Sequence, residues 1–125
     1  MASALAGKRV LIVEDEYFIA MELKQAFTEQ GAKIVGPVGN LNAGLDLASD
    51  AIDVAVLDVN LEEALSYPIA DRLRSNGIPY IFLTGYDGWS LPAAYRDDPC
   101  LAKPFAIQPV VALVEKLSSQ QQGAA

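Results

Sequence analysis

The sequence predicts an α/β fold, a doubly wound five-stranded parallel sheet in three layers. Short apolar runs alternate with segments of helical period along the whole chain, and the connections between them are short. One run, "VAVL" at 54–57, is apolar without alternation, as a strand covered on both faces must be. Strands and helices joined by short connections pair in parallel through right-handed crossovers.

The first strand is "RVLIVE". The segment after it carries Ile19, Leu23, Ala26 and Phe27 as one helical stripe and stops at Gly31. A weaker strand, "AKIVGPVG", leads to a helix through Leu45, Leu47 and Ala48, with Asn40 or Asn42 as N-cap. "VAVLDVN" is the third strand, and "LEEALSY" reads as a loop before a helix that opens at Pro68 and runs through Ile69, Ala70 and Leu73 to Gly77. "IPYIFLTG" is the fourth strand and "CLAKPF" the fifth, followed by a helix with Ile107, Val111, Val114 and Leu117 on one face. Between the last two strands, "GYDGWSLPAAYRDDP" holds two glycines and two prolines where a helix is expected. An interior glycine costs a helix roughly 1 kcal/mol and a proline about 3 kcal/mol, so a short or mobile helix is expected there. Residues 1–7 and 119–125 read as tails around one domain at 8–118.

Composition narrows the function. The chain has 125 residues, 52% of them hydrophobic, enough for one domain with a real core. Nine basic against sixteen acidic residues give a net charge of −7, which argues against nucleic acid or an anionic membrane as a partner bound by charge. The single cysteine, Cys100, can form no internal disulfide, and no segment approaches the roughly 20 apolar residues of a membrane span. A cytosolic protein is expected.

Ligands of open α/β sheets sit outside the carboxyl ends of the strands. The residues there are Glu14 and Asp15, then Asp58, Thr84 and Lys103. Asp58 closes an apolar strand, and a charge in that position needs a partner. Three carboxylates gathered without a counterion repel one another, which points to a hard divalent cation such as Mg²⁺. A lysine and a threonine hydroxyl beside them suit a phosphoryl group. Singly, each feature has a plainer reading: "ED" as a turn, "KPF" as a helix start, "TG" as a turn.

Together and in this order they resemble the receiver domain of two-component response regulators, over nearly the whole chain. The resemblance implies the flavodoxin-like strand order 2-1-3-4-5. It implies that Asp58 accepts a phosphoryl group and that Glu14, Asp15, Asp58 and the main-chain carbonyl of Asn60 bind Mg²⁺. Thr84 corresponds to the switch hydroxyl and Lys103 to the phosphate-pairing lysine, with a cis Lys103–Pro104 bond. The implied partners are a histidine kinase and a downstream protein target or phosphotransfer protein, with no nucleic acid and no membrane. The implied chemistry is limited to phosphoryl acceptance and self-dephosphorylation, in a stand-alone receiver that signals by contact or acts as a phosphate sink.

Two positions depart from the usual pattern. Cys100 stands where many receivers carry an aromatic that rotates inward on activation, and "NLEEALSYPIADRL" replaces the usual methionine-proline segment. With Phe82, Leu83, Thr84, Gly85 and Tyr86, these features resemble the FATGUY subgroup, which implies a kinase of the HWE type. Tyr86 is then the first candidate to replace the missing aromatic, with Tyr80, Trp89 and Tyr95 behind it; alternatively these rings only pack. Cys100 reads as a small buried hydrophobe, with redox sensing as the lesser alternative. Two rival functions use similar parts. A phosphatase of the haloacid dehalogenase type needs a second acid two residues after its nucleophile, where this chain has Asn60. A receiver-like module that docks partners without phosphorylation would not need the complete set of site residues.

Overall fold

The computed structural model describes residues 4–49, 51–61, 64–85, 91–103 and 106–123. The elements described are, in chain order, β1 (Arg9–Val13), α1 (Tyr17–Glu29), β2 (Lys33–Val38), α2 (Leu41–Leu47), β3 (Val54–Asp58), β4 (Asn60–Leu61), β5 (Ala64–Leu65), α3 (Tyr67–Ser75), β6 (Tyr80–Thr84), β7 (Cys100–Ala102) and α4 (Ile107–Gly123), with a 3-10 turn at Ala93–Tyr95. The main sheet has the order β2-β1-β3-β6-β7, all neighbours parallel. Leaving out the small β4–β5 pair, this is the 2-1-3-4-5 order of the flavodoxin-like fold.

Strand alternation divides the core into two layers. Val10, Ile12, Val54, Val56, Ile81 and Leu83 point toward α1 and α4, where Leu23, Phe27, Val110 and Val114 meet them. Leu11, Val13, Ala55, Leu57 and Phe82 point the other way, toward Ile69, Ala70 and Leu73 of α3. Each of the three central strands is buried on both faces, which explains their unbroken apolar runs. β2 is an edge strand and can therefore carry Pro37. Its pairing with β1 skips a residue between Leu11 and Val13, and Gly36 sits in that irregularity at φ +92°. A Cβ there would lie 2.9 Å from the Val38 nitrogen and 3.0 Å from the Ile12 carbonyl oxygen, so glycine is required.

α2 has only 7 residues and depends on its cap. The Asn40 side chain accepts a hydrogen bond from the Ala43 N–H at 2.8 Å, which makes Asn40 the N-cap and places Asn42 inside the helix. Asn40→Ala is expected to lower unfolding free energy by about 1 kcal/mol, read as a shift in urea midpoint without a change in slope.

The fold differs from the sequence reading in three places. The segment read as a loop contains an antiparallel hairpin, Asn60–Leu61 against Ala64–Leu65, anchored by the buried Leu61 and by the Ser66 N–H donating to the Val59 carbonyl. The expected N-terminal tail is partly core: Leu5 is fully buried, because the Gly7 N–H bonds the Gly31 carbonyl and folds the chain back over α1. At the other end α4 continues to Gly123, beyond the boundary expected at 118, since serine and glutamine do not stop a helix. The described part of the segment between β6 and β7 forms only the 3-10 turn, consistent with its glycines and prolines. Tyr86, Trp89 and the Lys103–Pro104 bond lie outside the described residues.

Candidate functional site

The carboxyl ends of β1, β3, β6 and β7 bring the predicted residues to one edge. Asp58 is the last residue of β3 and is buried, as are Glu14, just past β1, and Thr84, the last residue of β6. Asp15 is exposed at the mouth. The register fixes their neighbourhood: Asp58 pairs with Leu83, and Thr84 with Ala102. The Thr84 carbonyl accepts the Lys103 N–H at 2.7 Å, which sets the lysine at the end of β7 facing the acids.

Lys103 is the hub. Its Nζ lies 2.9 Å from Glu14 Oε1, 3.2 Å from Asp58 Oδ2 and 3.4 Å from Glu16 Oε1. It donates to Glu14 Oε2 at 3.2 Å, while the buried Oε1 accepts no hydrogen bond. Asn60, expected to lend its carbonyl, is seen to donate its N–H to Asp58 Oδ1 at 3.2 Å. This fixes the carboxylate plane from the first residue of the hairpin.

These surroundings set the charges. Burial is the main reason the Asp58 carboxyl is raised from 3.8 to about 6; the adjacent Glu14 adds to this, and Lys103 opposes it. Asp15, though exposed, is also raised, first by partial loss of solvent on its inner side and then by the hydrogen bond and charge of Asp58. For Lys103 burial acts downward, but Glu14 and Asp58 outweigh it and the ammonium is pushed up to about 12. The site thus carries more negative charge than one lysine can balance.

The fit to a hard cation follows from the donor set. Glu14, Asp15 and Asp58 each offer a carboxylate oxygen, all within 4.8 Å of one another, and Glu14 Oε1 is a buried oxygen without a hydrogen bond. All the donors are oxygen, as Mg²⁺ demands. They suit Mg²⁺ far better than a soft metal.

Two features escaped the sequence reading. The first is Glu16, whose contact with Lys103 is tertiary and leaves no periodic signal. The second is an aromatic cluster beside β6. Tyr67 stacks on Tyr95 with centroids 4.4 Å apart, and both meet Phe82 edge-on at 5.7 and 5.9 Å. Tyr80 also meets Phe82 edge-on. Polar groups lock the cluster to α3: Tyr95 donates to Asp71, Tyr80 donates to Asp98, and Arg74 pairs with Asp98 at 2.7 Å with its guanidinium over the Tyr95 ring. Tyr80 and Tyr95 therefore pack, with Tyr67 as an unanticipated partner supplied by the first turn of α3. Cys100 is half-buried against the same core, and burial raises its thiol, which disfavours a reactive thiolate.

Residues 10–115 match the family model described as response regulator receiver domain. The chain belongs to that family. The receiver is 32% identical to the transcriptional regulatory protein PdtaR of Mycobacterium tuberculosis over 119 residues. That alignment covers 91% of this chain and 58% of PdtaR, so the chain spans little more than half of that relative. Among solved structures, SdrG from Sphingomonas melonis Fr1 is 38% identical with a TM-score of 0.76, covering 94% of this chain and 98% of SdrG. The BeF3-activated conformation of SdrG from Pseudomonas melonis Fr1 is also 38% identical, with a TM-score of 0.72 over 90% of this chain and 98% of that one. The receiver is thus a two-component signalling domain, and none of its described helices is long and apolar enough to cross a membrane.

Proposed function

We propose that this receiver accepts a phosphoryl group from a histidine kinase on Asp58 and relays the signal by contact with another protein or by draining phosphoryl groups from the kinase. The observation that carries this reading is the position of Asp58, buried at the end of β3 between Lys103 and the carboxylates of Glu14 and Asp15. An Asp58 oxygen attacks phosphorus in line, the bond from phosphorus to the donor's imidazole nitrogen breaks, and the nitrogen keeps the electron pair. The Asn60 N–H holds the attacking carboxylate in orientation, while Lys103 faces the place where negative charge gathers. Thr84 supplies a hydroxyl at the neighbouring strand end. Glu14, Asp15 and Asp58, with the main chain of Asn60, would hold Mg²⁺, which neutralises phosphoryl oxygens when bound. The chain catalyses no turnover in this reading beyond loss of its own phosphoryl group.

The partner is a histidine kinase, and the run from Phe82 to Tyr86 supports the HWE type and the FATGUY subgroup as its setting, in the cytoplasm. In the FATGUY motif leucine stands at 83 where alanine is usual. Incubation with acetyl phosphate and Mg²⁺ tests the acceptor by intact mass. One added phosphoryl group is expected on the wild type and none on Asp58→Asn; uptake that survives the substitution contradicts the assignment.

A further inference from the structure

Glu16 occupies the N-cap of α1 without capping it. Its side chain accepts no hydrogen bond from the first turn, although a carboxylate at that position has free N–H groups within its reach. The carboxylate turns instead toward the pocket, where Oε1 lies 3.4 Å from Lys103 Nζ. The Glu16 N–H donates to Glu14 Oε2 at 3.2 Å, so the same residue also orients the buried acid that pairs with the lysine. The three carboxylates around Lys103 are not equivalent: the side chains of Glu14 and Asp58 are 0% and 4% exposed, whereas that of Glu16 is 60% exposed.

We propose that Glu16 is a positioning residue for Lys103, holding the ammonium toward the mouth of the pocket until a phosphoryl group arrives on Asp58. This rests on the reading of Asp58 as phospho-acceptor. Lys103 divides its donors among three acids and so does not close fully onto Asp58. Glu16 is the partner it releases most readily, because an exposed ion pair contributes little and is screened by salt. An incoming phosphoryl dianion competes for the ammonium against this weakest contact first. Meanwhile the charge of Glu16 adds to the negative potential at the pocket, which favours a cation and disfavours an anion.

Glu16→Gln therefore acts with opposite signs on two ligands. The variant is expected to bind Mg²⁺ about threefold more weakly and, at saturating Mg²⁺, beryllofluoride about threefold more tightly, in the range set by an exposed ion pair. Damage to the fold would weaken both. Glu16→Asp keeps the charge but is one methylene short of Lys103, so it is expected to match wild type for Mg²⁺ and to bind beryllofluoride more tightly than wild type but less tightly than Glu16→Gln. Calorimetric titration of the whole chain with each ligand separates the cases. Beryllofluoride affinity in Glu16→Gln equal to or below wild type overturns the proposal, as does a Glu16→Asp variant that matches wild type for both ligands. A wild type that binds Mg²⁺ but takes up no beryllofluoride removes the phospho-acceptor reading as well as this role for Glu16.

Discussion

Without a divalent cation, Asp58→Asn is expected to make the receiver more stable than wild type at pH 7, by about 3 kcal/mol. The reason is the raised carboxyl, near 6 in the folded chain against its ordinary 3.8. Between those values the folded chain binds the proton that the unfolded chain has released, so stability falls as pH rises through the window and the loss is complete above about 6. A displacement of that size corresponds to about 3 kcal/mol, and Asp58 is buried enough that solvent screens little of it. Asparagine resembles the protonated acid in shape and carries no charge to desolvate. Urea unfolding in EDTA at pH 4 and pH 7.5 measures this: wild type loses stability relative to Asp58→Asn as pH rises. Saturating Mg²⁺ narrows the gap, because a ligand that binds only the folded chain stabilises it. A constant gap across pH in EDTA would show that the Asp58 carboxyl is not raised in the folded chain.

The second large effect lies where α2 meets α3. A Cβ on Gly44 would run into Ile69 Cδ1 and lie 3.3 Å from Val13 Cγ2, and Ile69 and Val13 are fully buried. Gly44→Val forces that contact with little gain in helix propensity, and overpacking of this kind costs about 3 kcal/mol. The contact also predicts a rescue. Ile69→Val removes the atom in the way, at a cost of about 1 kcal/mol by itself. Combined with Gly44→Ala it is expected to cost less than the sum of the two single changes, by about 1 kcal/mol in a double-mutant cycle. Simple additivity would mean that the helices separate to admit the methyl group, in which case close approach is not what requires glycine here.

What the sequence disclosed follows the reach of local patterns. Val54 to Leu57 could be read as a fully covered strand because a central parallel strand has no polar face, and Glu14, Asp15, Asp58, Thr84 and Lys103 could be listed because each ends or follows a strand. Which strand lies beside which came from the family resemblance, and the pairing of β3 with both β1 and β6 agrees with it. The hairpin at 60–65 carries none of the Asn-Gly or Gly-Gly turns that announce one. Leu5 precedes the first apolar run and is buried only through the contact of Gly7 with Gly31. Glu16 and Tyr67 act across 87 residues to Lys103 and across 28 to Tyr95, distances over which composition and period carry no information. Both begin a helix, where a residue is usually read for capping alone.

In the proposed function, the carboxylates and Lys103 make Asp58 an acceptor whose occupancy depends on a divalent cation. Fluorine NMR of the receiver with beryllofluoride measures it most directly, since the trifluoride on an aspartate reproduces the charge and shape of a phosphoryl group. Resonances of the bound trifluoride are expected with Mg²⁺, and they are expected to disappear in EDTA and in Asp58→Asn. Bound resonances that persist in EDTA would rule out the dependence on a divalent cation, and resonances that persist in the Asp58→Asn protein would rule out Asp58 as the acceptor.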